Sequence, residues 1–212
     1  MTRRSSASAA QTRAYAARAD ALAPQLRAEI ARVPAVPHGR PTLVVLMGLP
    51  GVGKSHCARL LCERLGAAHV ASDELRGRLF IAATYADEEN RAVFAAATAL
   101  VDGLLADGHR VVLDATNLIA RNRSAAVEAA RRRDAPVVYV RVTAPEVDSL
   151  SRLAARRAGR AADDHSDADE SVFAKMRART FEPPPEGYLE LVNGPDLGHS
   201  VDDVVAAVEV VR

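Results

Sequence analysis

The sequence predicts an α/β fold in which helices cover both faces of a parallel sheet. Short apolar segments alternate with longer amphipathic segments from residue 43 onward. The apolar segments show little polar alternation, which is typical of strands buried on both faces. Because the intervening helices return the chain to the same edge of the sheet, the strands are expected to be parallel.

Length and composition support a soluble globular protein. The chain has 212 residues, of which 49% are hydrophobic and 26% charged, and these values exclude wholesale disorder and collagen-like repeats. The longest apolar stretch falls far short of the roughly 20 residues needed to cross a bilayer. The net charge of +1 creates no overall field that would attract nucleic acid or anionic lipid. We therefore expect no membrane partner.

The N-terminal 40 residues are predicted to lie outside the main domain, which we place at 41–212. Residues 1–12 are small and polar and are expected to be mobile. Apolar residues from Tyr15 to Val33 follow helical spacing and predict an amphipathic helix. Three prolines between 34 and 41 then predict an extended linker.

The predicted location is the cytoplasm. The N-terminus lacks the continuous apolar segment of a secretory signal. Cys57 and Cys62 are five residues apart in a predicted helix and therefore face different directions, so we expect free thiols. The arginine-rich and acid-free first 19 residues resemble a mitochondrial presequence, which is the alternative.

The alternation of apolar and amphipathic segments gives the expected element bounds. Strands are predicted at 43–47, 68–71, 110–113, 137–142 and 188–192. Helices are predicted at 54–65, 87–106, 119–133, 146–157 and 201–211.

Residues 48–55 read Gly-Leu-Pro-Gly-Val-Gly-Lys-Ser and match the phosphate-loop pattern G-x-x-x-x-G-K-[ST]. The motif lies between a predicted strand and a predicted helix, which is its usual context. Its glycines let backbone N–H groups converge on phosphate oxygens at the positive end of the helix. We predict that Lys54 binds the β and γ phosphates of ATP and that Ser55 ligates Mg²⁺. The expected nucleotide-binding residues are Gly48, Pro50, Gly51, Val52, Gly53, Lys54, Ser55 and His56.

Asp73 follows the second predicted strand and therefore lies at the carboxyl edge of the sheet, where open α/β sheets bind ligands. A carboxylate there can align an acceptor hydroxyl and take its proton during phosphoryl transfer. Arg76 lies on the same side of a helical turn and can bind a phosphate group through two hydrogen bonds. The spacing equally allows Asp73 to be a helix N-cap and Arg76 to lie on a solvated face.

Asp114 follows three apolar residues at the end of the third predicted strand and occupies a Walker B position. It can reach Mg²⁺ through water, pair with Arg76 or cap the next turn. The first of these makes Asp114 a metal-site residue together with Ser55.

Arginines near the end of a later helix predict a lid over about residues 152–170. Arg152 and Arg156 share a helical face and can neutralise charge on the transferring phosphoryl group while the lid excludes water. A solvated basic face is the alternative. The arginine run 131–133 ends another helix, where cations suit the helix dipole, and is predicted to be structural.

Taken together these residues resemble a group of P-loop kinases with an AAA-type ATP-binding domain. The group includes polynucleotide 5′-hydroxyl kinases, zeta toxins, chloramphenicol phosphotransferases and many uncharacterised predicted kinases. The resemblance spans about residues 41–193. Besides the phosphate loop and the lid arginines, it rests on Ser72-Asp73 with Arg76, Asp114-Ala115-Thr116-Asn117 with Arg121 and Arg123, Ser166-Asp167-Ala168, and Phe181-Glu182-Pro183-Pro184. The last two segments are most similar to the uncharacterised predicted kinases.

The resemblance implies a three-layer P-loop NTPase sandwich, with a five-stranded parallel sheet whose first strand is central. It implies that Asp73 is the acceptor base, that Arg76 contacts substrate or phosphate, and that Arg152 or Arg156 is the lid arginine. The expected catalytic residues are Lys54, Asp73, Arg76, Arg152 and Arg156. The expected substrate-binding residues are Asp73, Arg76, Tyr85, Thr116, Asn117 and Arg123.

These features predict an ATP- and Mg²⁺-dependent kinase that phosphorylates a hydroxyl of a small-molecule or sugar-like acceptor. Nucleic acid is less favoured, because single-strand binding uses stacking aromatics and a basic groove, and the chain has no Trp, four Tyr and four Phe. Tyr85 can stack on an acceptor or pack in the core. The alternatives are a polynucleotide 5′-hydroxyl kinase and a non-catalytic nucleotide-binding regulatory module, and a toxin or resistance role is also open.

Overall fold

The computed structural model describes residues 40–80, 86–157 and 181–211, with residues 14, 21 and 24–27, and gives only the backbone at 156 and 157. The strands in these ranges are β1 (Thr42–Met47), β2 (Ala68–Ala71), β3 (Arg110–Asp114), β4 (Val137–Thr143) and β5 (Leu189–Val192). The helices are α1 (Lys54–Leu65), α2 (Ser72–Leu79), α3 (Asp87–Ala106), α4 (Ala120–Arg132), α5 (Glu146–Arg157) and α6 (Leu197–Val210).

The strands form one parallel sheet in the order β2-β3-β1-β4-β5. Leu46 of β1 pairs with Asp114 of β3 on one side and with Val140 of β4 on the other. Ala71 at the end of β2 also pairs with Asp114. The predicted α/β class with a central first strand is therefore confirmed, and the carboxyl ends of β1, β2 and β3 meet at one edge.

Two apolar layers cover the sheet. Alternate residues of β1 point to opposite faces, so Leu43 and Val45 enter one layer and Val44 and Leu46 enter the other. Buried residues of α2, α3 and α4 complete the first layer, and buried residues of α1 and α6 complete the second. This two-sided burial explains why the strand sequences are apolar at nearly every position.

The observed bounds differ from the predicted ones mainly at two helices. Only a single helical turn was predicted near Asp73, whereas α2 runs from Ser72 to Leu79. Its apolar contacts are few, since Leu75 and Leu79 are its buried hydrophobic residues. Helix α6 begins four residues before the predicted start at 201, in a stretch without apolar periodicity.

The arginine run 131–133 at the end of α4 makes ion pairs within the fold. Arg132 and Arg133 contact Asp102 of α3, and Arg131 contacts Glu186 at 3.0 Å. These contacts fit the structural role predicted for the run. None of the helices in the described parts of the chain is long and apolar enough to cross a membrane.

A short N-terminal piece of the chain packs on the main domain. Residues 24–27 are helical, and Leu26 is 3% exposed and belongs to the same apolar layer as α3. Arg27 pairs with Asp107 at the end of α3. Most of the predicted N-terminal helix and linker lies outside the described residues, and the boundary at residue 41 stays a prediction.

Replacement of Leu26 by alanine is expected to lower the free energy of unfolding by about 2–5 kcal/mol, because it removes a buried side chain and leaves a cavity. Replacement of Arg27 by alanine is expected to cost about 1 kcal/mol or less, since its ion pair with Asp107 is exposed. Denaturant unfolding of both variants measures the difference. Equal small losses would show that the N-terminal piece does not belong to the cooperative core.

Candidate active site

The phosphate loop connects β1 to α1 as the sequence predicts. Gly51 and Gly53 have φ values of 80° and 87°, in the left-handed region that glycine enters without steric cost. Gly53 immediately precedes the first residue of α1, so the unpaired N–H groups of the first helical turn face the end of the loop. Backbone donors and the positive end of the helix dipole thus meet at one place, which favours an anion.

Close packing also requires glycine in this loop. A Cβ at Gly48 would lie 2.7 Å from the carbonyl oxygen of Val142 in β4, and one at Gly51 would lie 2.6 Å from that of Ser149 in α5. Both contacts involve backbone atoms that cannot move aside. The loop is therefore held against the end of β4 and the first turns of α5.

Side-chain donors occupy carbonyl oxygens of the phosphate loop. Lys54 Nζ donates to the Leu49 carbonyl at 2.9 Å, and Arg152 Nη1 of α5 donates to the Gly51 carbonyl at 3.2 Å. Of the two predicted lid arginines, Arg152 thus contacts the loop directly. The side chain of Arg156 and residues 158–170 of the predicted lid lie outside the described residues.

Asn193, just after β5, is a loop contact that the sequence analysis missed. It is 8% exposed, its Nδ2 donates to the Val52 carbonyl at 2.8 Å, and its own N–H donates to the Thr143 carbonyl. A Cβ at Gly53 would lie 2.1 Å from the same Nδ2 atom. The one signal in the sequence is an amide residue at the carboxyl end of an apolar strand, which is where open α/β sheets bind ligands.

Asp114 lies at the end of β3 and is 4% exposed. His69 Nε2 of β2 is 3.2 Å from its Oδ2, and the nearby Ser55 hydroxyl contributes to lowering the pKa of the carboxylate. Burial acts to raise the pKa of Asp114, but the His69 hydrogen bond and the charge of Lys54 outweigh it, so the pKa lies below that of an ordinary aspartate. The carboxylate is therefore ionised at neutral pH.

These contacts correct the pairing with Arg76 that was one of the options for Asp114. Its side chain contacts His69 and Ser55 rather than Arg76. Within the described residues no group of three or more His, Cys, Asp and Glu side chains is placed to hold a metal ion. Ser55 and Asp114 nevertheless form a hydroxyl–carboxylate pair next to the phosphate loop.

Asp73 lies in the first turn of α2, two residues after Ala71, which pairs with Asp114 in the sheet. The N-cap of α2 is Ala71, so Asp73 is inside the helix rather than at the capping position. It is half-buried at the carboxyl edge of the sheet. This placement removes the simple capping interpretation and leaves the role as acceptor base a prediction.

Arg76 is 7% exposed and contacts α3. Its Nη2 donates to Asn90 Oδ1 at 2.8 Å, and its Nη1 lies 3.9 Å from Glu89 Oε2. Because Glu89 is also buried, the two charges form a desolvated pair between α2 and α3. Arg76 is therefore not on the solvated face that the spacing also allowed.

Residues 116 and 117 link the end of β3 to the phosphate loop. The Thr116 carbonyl accepts the Gly48 N–H at 3.0 Å, and Asn117 Nδ2 donates to the Leu46 carbonyl at 2.9 Å. Asn117 is fully buried and has a φ of 45°, a left-handed conformation that is uncommon outside glycine. The amide of Asn117 thus serves the fold at this edge.

Arg123 in the first turn of α4 is 4% exposed, and its guanidinium donates to the backbone carbonyls of Asn117 and Glu182. Its role as a substrate ligand stays a prediction, and the observed contacts favour a structural one. His56 lies exposed in the first turn of α1. Tyr85 lies outside the described residues.

Both cysteines of the described residues are free thiols, as predicted. Cys57 lies in the first turn of α1 and Cys62 one turn later. Burial, with a smaller effect of the Asp114 charge, raises the pKa of each thiol to about 12. Since the thiolate is the reactive form, neither thiol is suited to nucleophilic chemistry.

The chain matches a known protein family over the region that contains the sheet and the phosphate loop. A family model described as an AAA domain matches residues 43–184, which is more than half of the chain. The chain belongs to this family. An uncharacterized protein of Mycobacterium tuberculosis is 29% identical over 154 residues, which cover 67% of this chain and 30% of the relative. The chain thus spans about a third of the length of the curated relatives it matches.

Solved structures with the same fold include P-loop kinases. The APS kinase CysC of Mycobacterium tuberculosis, in complex with AMPPNP and APS, has a TM-score of 0.59 at 21% identity and covers 80% of this chain and 98% of its own. Kti12 of Chaetomium thermophilum, in complex with ADP-AlF3, has a TM-score of 0.60 at 22% identity, covering 78% and 98%. A gluconokinase of Sinorhizobium meliloti has a TM-score of 0.58 at 19% identity, covering 80% and 92%.

Replacement of Asn193 by alanine is expected to weaken the ATP binding predicted for the phosphate loop by about two- to tenfold, since it removes one hydrogen bond that fixes the loop. Asp196, exposed on the same connection and without a side-chain capping bond, supplies the matched control Asp196→Ala. Calorimetric titration with ATP and Mg²⁺ compares the two. If Asn193→Ala and Asp196→Ala bind ATP with equal affinity, Asn193 does not contribute to nucleotide binding.

Proposed function

We propose that this member of the AAA domain family is an ATP-dependent kinase that transfers the γ-phosphoryl group to a hydroxyl of a small-molecule or sugar-like acceptor. The observation that carries the proposal is the grouping of Lys54, Ser55 and the buried carboxylate of Asp114 at the carboxyl edge of the sheet. A phosphate-binding loop alone accounts for an anion site. A hydroxyl paired with an ionised carboxylate beside it is the further feature that a nucleotide–metal site needs.

In this proposal the phosphate loop binds the polyphosphate of ATP. Its N–H groups and the start of α1 supply the donors, and Lys54 leaves the Leu49 carbonyl to bind the β and γ phosphates. The exchange is favourable because the ammonium group replaces a neutral acceptor with a charged one. Arg152, already at the Gly51 carbonyl, lies within the same loop environment and neutralises charge on the transferring group.

The donor set fits Mg²⁺, which prefers oxygen ligands and is commonly held by one or two side chains together with substrate phosphates. Ser55 and Asp114 would hold the ion, and His69 would keep the Asp114 carboxylate in its orientation. When bound, the ion supplies neutralisation of the charge that develops on the phosphate oxygens.

Asp73 acts as the base in the transfer step. The acceptor oxygen forms a bond to the γ-phosphorus while the bond from that phosphorus to the β–γ bridging oxygen breaks, and ADP leaves. The proton of the acceptor hydroxyl passes to the Asp73 carboxylate. Support for this role comes from the position of Asp73 in the first turn of α2, one strand away from Asp114.

Arg76 lies on the same helix as the proposed base and is held against α3. Its charge faces buried Glu89, and its Nη2 is bonded to Asn90. The names of the structural neighbours, an APS kinase solved with APS and a gluconokinase, support a small-molecule acceptor.

Replacement of Asp73 by asparagine is expected to reduce transfer from γ-labelled ATP by about 10²–10⁴-fold while ATP affinity stays nearly unchanged, since the base acts only in the chemical step. The matched control is Glu74→Gln, which neutralises the next carboxylate of the same helical turn, where Glu74 pairs with Arg78. Pools of sugars, nucleosides, hydroxyl-bearing antibiotics and 5′-hydroxyl oligonucleotides serve as acceptors.

The outcomes separate the candidate functions. If the label is transferred only to the oligonucleotides, the protein is a polynucleotide 5′-hydroxyl kinase. If the protein binds ATP but shows no Asp73-dependent transfer to any acceptor, the regulatory module is favoured. A loss of ATP binding in Asp73→Asn would show that Asp73 is a nucleotide-binding residue rather than the acceptor base.

Replacement of Lys54 by alanine is expected to abolish transfer and to weaken ATP binding, because the γ-phosphate loses its main cationic contact. Binding is measured by calorimetry, and turnover by the label-transfer assay above. The proposed function is wrong if the variant turns over ATP at the rate of the original protein.

A further inference from the structure

The segment 181–187 carries a Phe-Glu-Pro-Pro sequence that neither nucleotide binding nor transfer explains. The segment lies beside the start of α4, where the Glu182 N–H donates to the Leu118 carbonyl. We infer that Glu182, together with Arg123, is a positioning residue that holds the β3–α4 loop (residues 115–119) and, through it, the start of the phosphate loop. The inference rests on the proposed function only in its effect on ATP binding.

Glu182 makes three hydrogen bonds at the beginning of α4. Its carboxylate Oε2 accepts the Ala120 N–H at 2.7 Å, and its own N–H donates to the Leu118 carbonyl at 3.0 Å. Arg123 Nη2 donates to the Glu182 carbonyl. Because the N-cap residue of α4 is Ile119, which cannot supply a capping side chain, Glu182 serves as the cap from a distant part of the chain.

Arg123 extends this network to the sheet. Its Nη1 donates to the Asn117 carbonyl at 3.0 Å, and Asn117 in turn bonds the Leu46 carbonyl of β1. Asn117 holds a left-handed conformation at φ 45°, which costs a non-glycine residue free energy and persists only when its surroundings impose it. The Arg123 and Glu182 contacts supply that constraint on both sides of the loop.

The loop touches the phosphate loop at one hydrogen bond. The Thr116 carbonyl accepts the N–H of Gly48, the first residue of the phosphate loop, at 3.0 Å. Thr116 also lies two residues after Asp114. A shift of residues 115–119 would therefore change both the start of the phosphate loop and the end of β3.

Other contacts anchor the segment itself, so the Glu182 bonds are not needed merely to keep it in place. Phe181 packs edge-on against Tyr188, with ring centroids 5.4 Å apart, and lies under the Arg141 guanidinium. Glu186 pairs with Arg131 at the other end of α4, away from the site. This second pair offers a matched control on the same segment and the same helix.

The test combines Glu182→Ala, Glu182→Gln and Glu186→Gln with the core variant Leu26→Ala, which is destabilised far from the site. Amide hydrogen exchange reports residues 48–55 and 115–123, and calorimetry reports the Kd for ATP with Mg²⁺, both well below the melting temperature of each variant. We expect Glu182→Ala to exchange faster in both segments and to raise the Kd about three- to tenfold. Glu182→Gln keeps an oxygen that accepts the Ala120 N–H and should stay near the original protein.

Glu186→Gln is expected to change neither readout, because its contact with Arg131 does not reach residues 115–119. Leu26→Ala is expected to leave the Kd for ATP unchanged, and any faster exchange it causes is expected throughout the fold rather than only in residues 48–55 and 115–123. The inference is overturned if Glu182→Ala loses stability without faster exchange in residues 48–55, or if Glu186→Gln or Leu26→Ala matches it in both readouts. Failure of the unsubstituted chain to bind ATP would defeat the proposed function instead, and the exchange of residues 48–55 would then decide the positioning role alone.

Discussion

The carbonyl groups of the phosphate loop impose the constraint on which the site depends. A loop that directs its N–H groups toward a ligand must direct its carbonyl groups elsewhere, and buried carbonyls need donors. Arg152 of α5 at Gly51 and Asn193 after β5 at Val52 meet this need, and Lys54 of α1 donates to Leu49 until, in the proposed function, it moves to the phosphates. The loop conformation is thus a property of the whole sheet edge rather than of the glycine-rich segment alone.

The sheet order makes this arrangement possible. Because β1 lies between β3 and β4, the chain leaving β1 has the ends of both neighbours beside it. On the β3 side the Thr116 carbonyl accepts the Gly48 N–H, and on the β4 side the Val142 carbonyl lies so close to Gly48 that a Cβ would not fit. Asp114 is buried at the same edge, where the His69 hydrogen bond and the Lys54 charge offset the cost of its desolvation. The parallel pairing of β1, β2 and β3 thus brings Asp114, Thr116 and the phosphate loop to the same edge of the sheet.

Sequence reasoning succeeded where the signal is local in the chain. The strands, the long helices and the contiguous motif around Lys54 and Ser55 follow from periodicity and spacing. The contacts of Asn193, His69 and Glu182 were not predicted, although Glu182 lies in the Phe-Glu-Pro-Pro segment, because each side chain bonds a residue far away in the sequence. Arg123 shows the complementary case, since its motif is visible in the sequence but its hydrogen bonds to the Asn117 and Glu182 carbonyls emerge only from tertiary packing.

The two sides of the site belong to different apolar layers. Helix α1, which carries Lys54 and Ser55, packs with α6 on one face of the sheet, whereas α2 and α3, which carry Asp73, Arg76 and the residues bonded to it, pack on the other. Side chains on α2 and α3 can therefore change without disturbing the packing beneath the phosphate loop. For this reason the motif that marks the nucleotide side contains no information about the acceptor. In the proposed function the acceptor is instead selected on the side of α2 and α3, where Arg76 contacts Glu89 and Asn90.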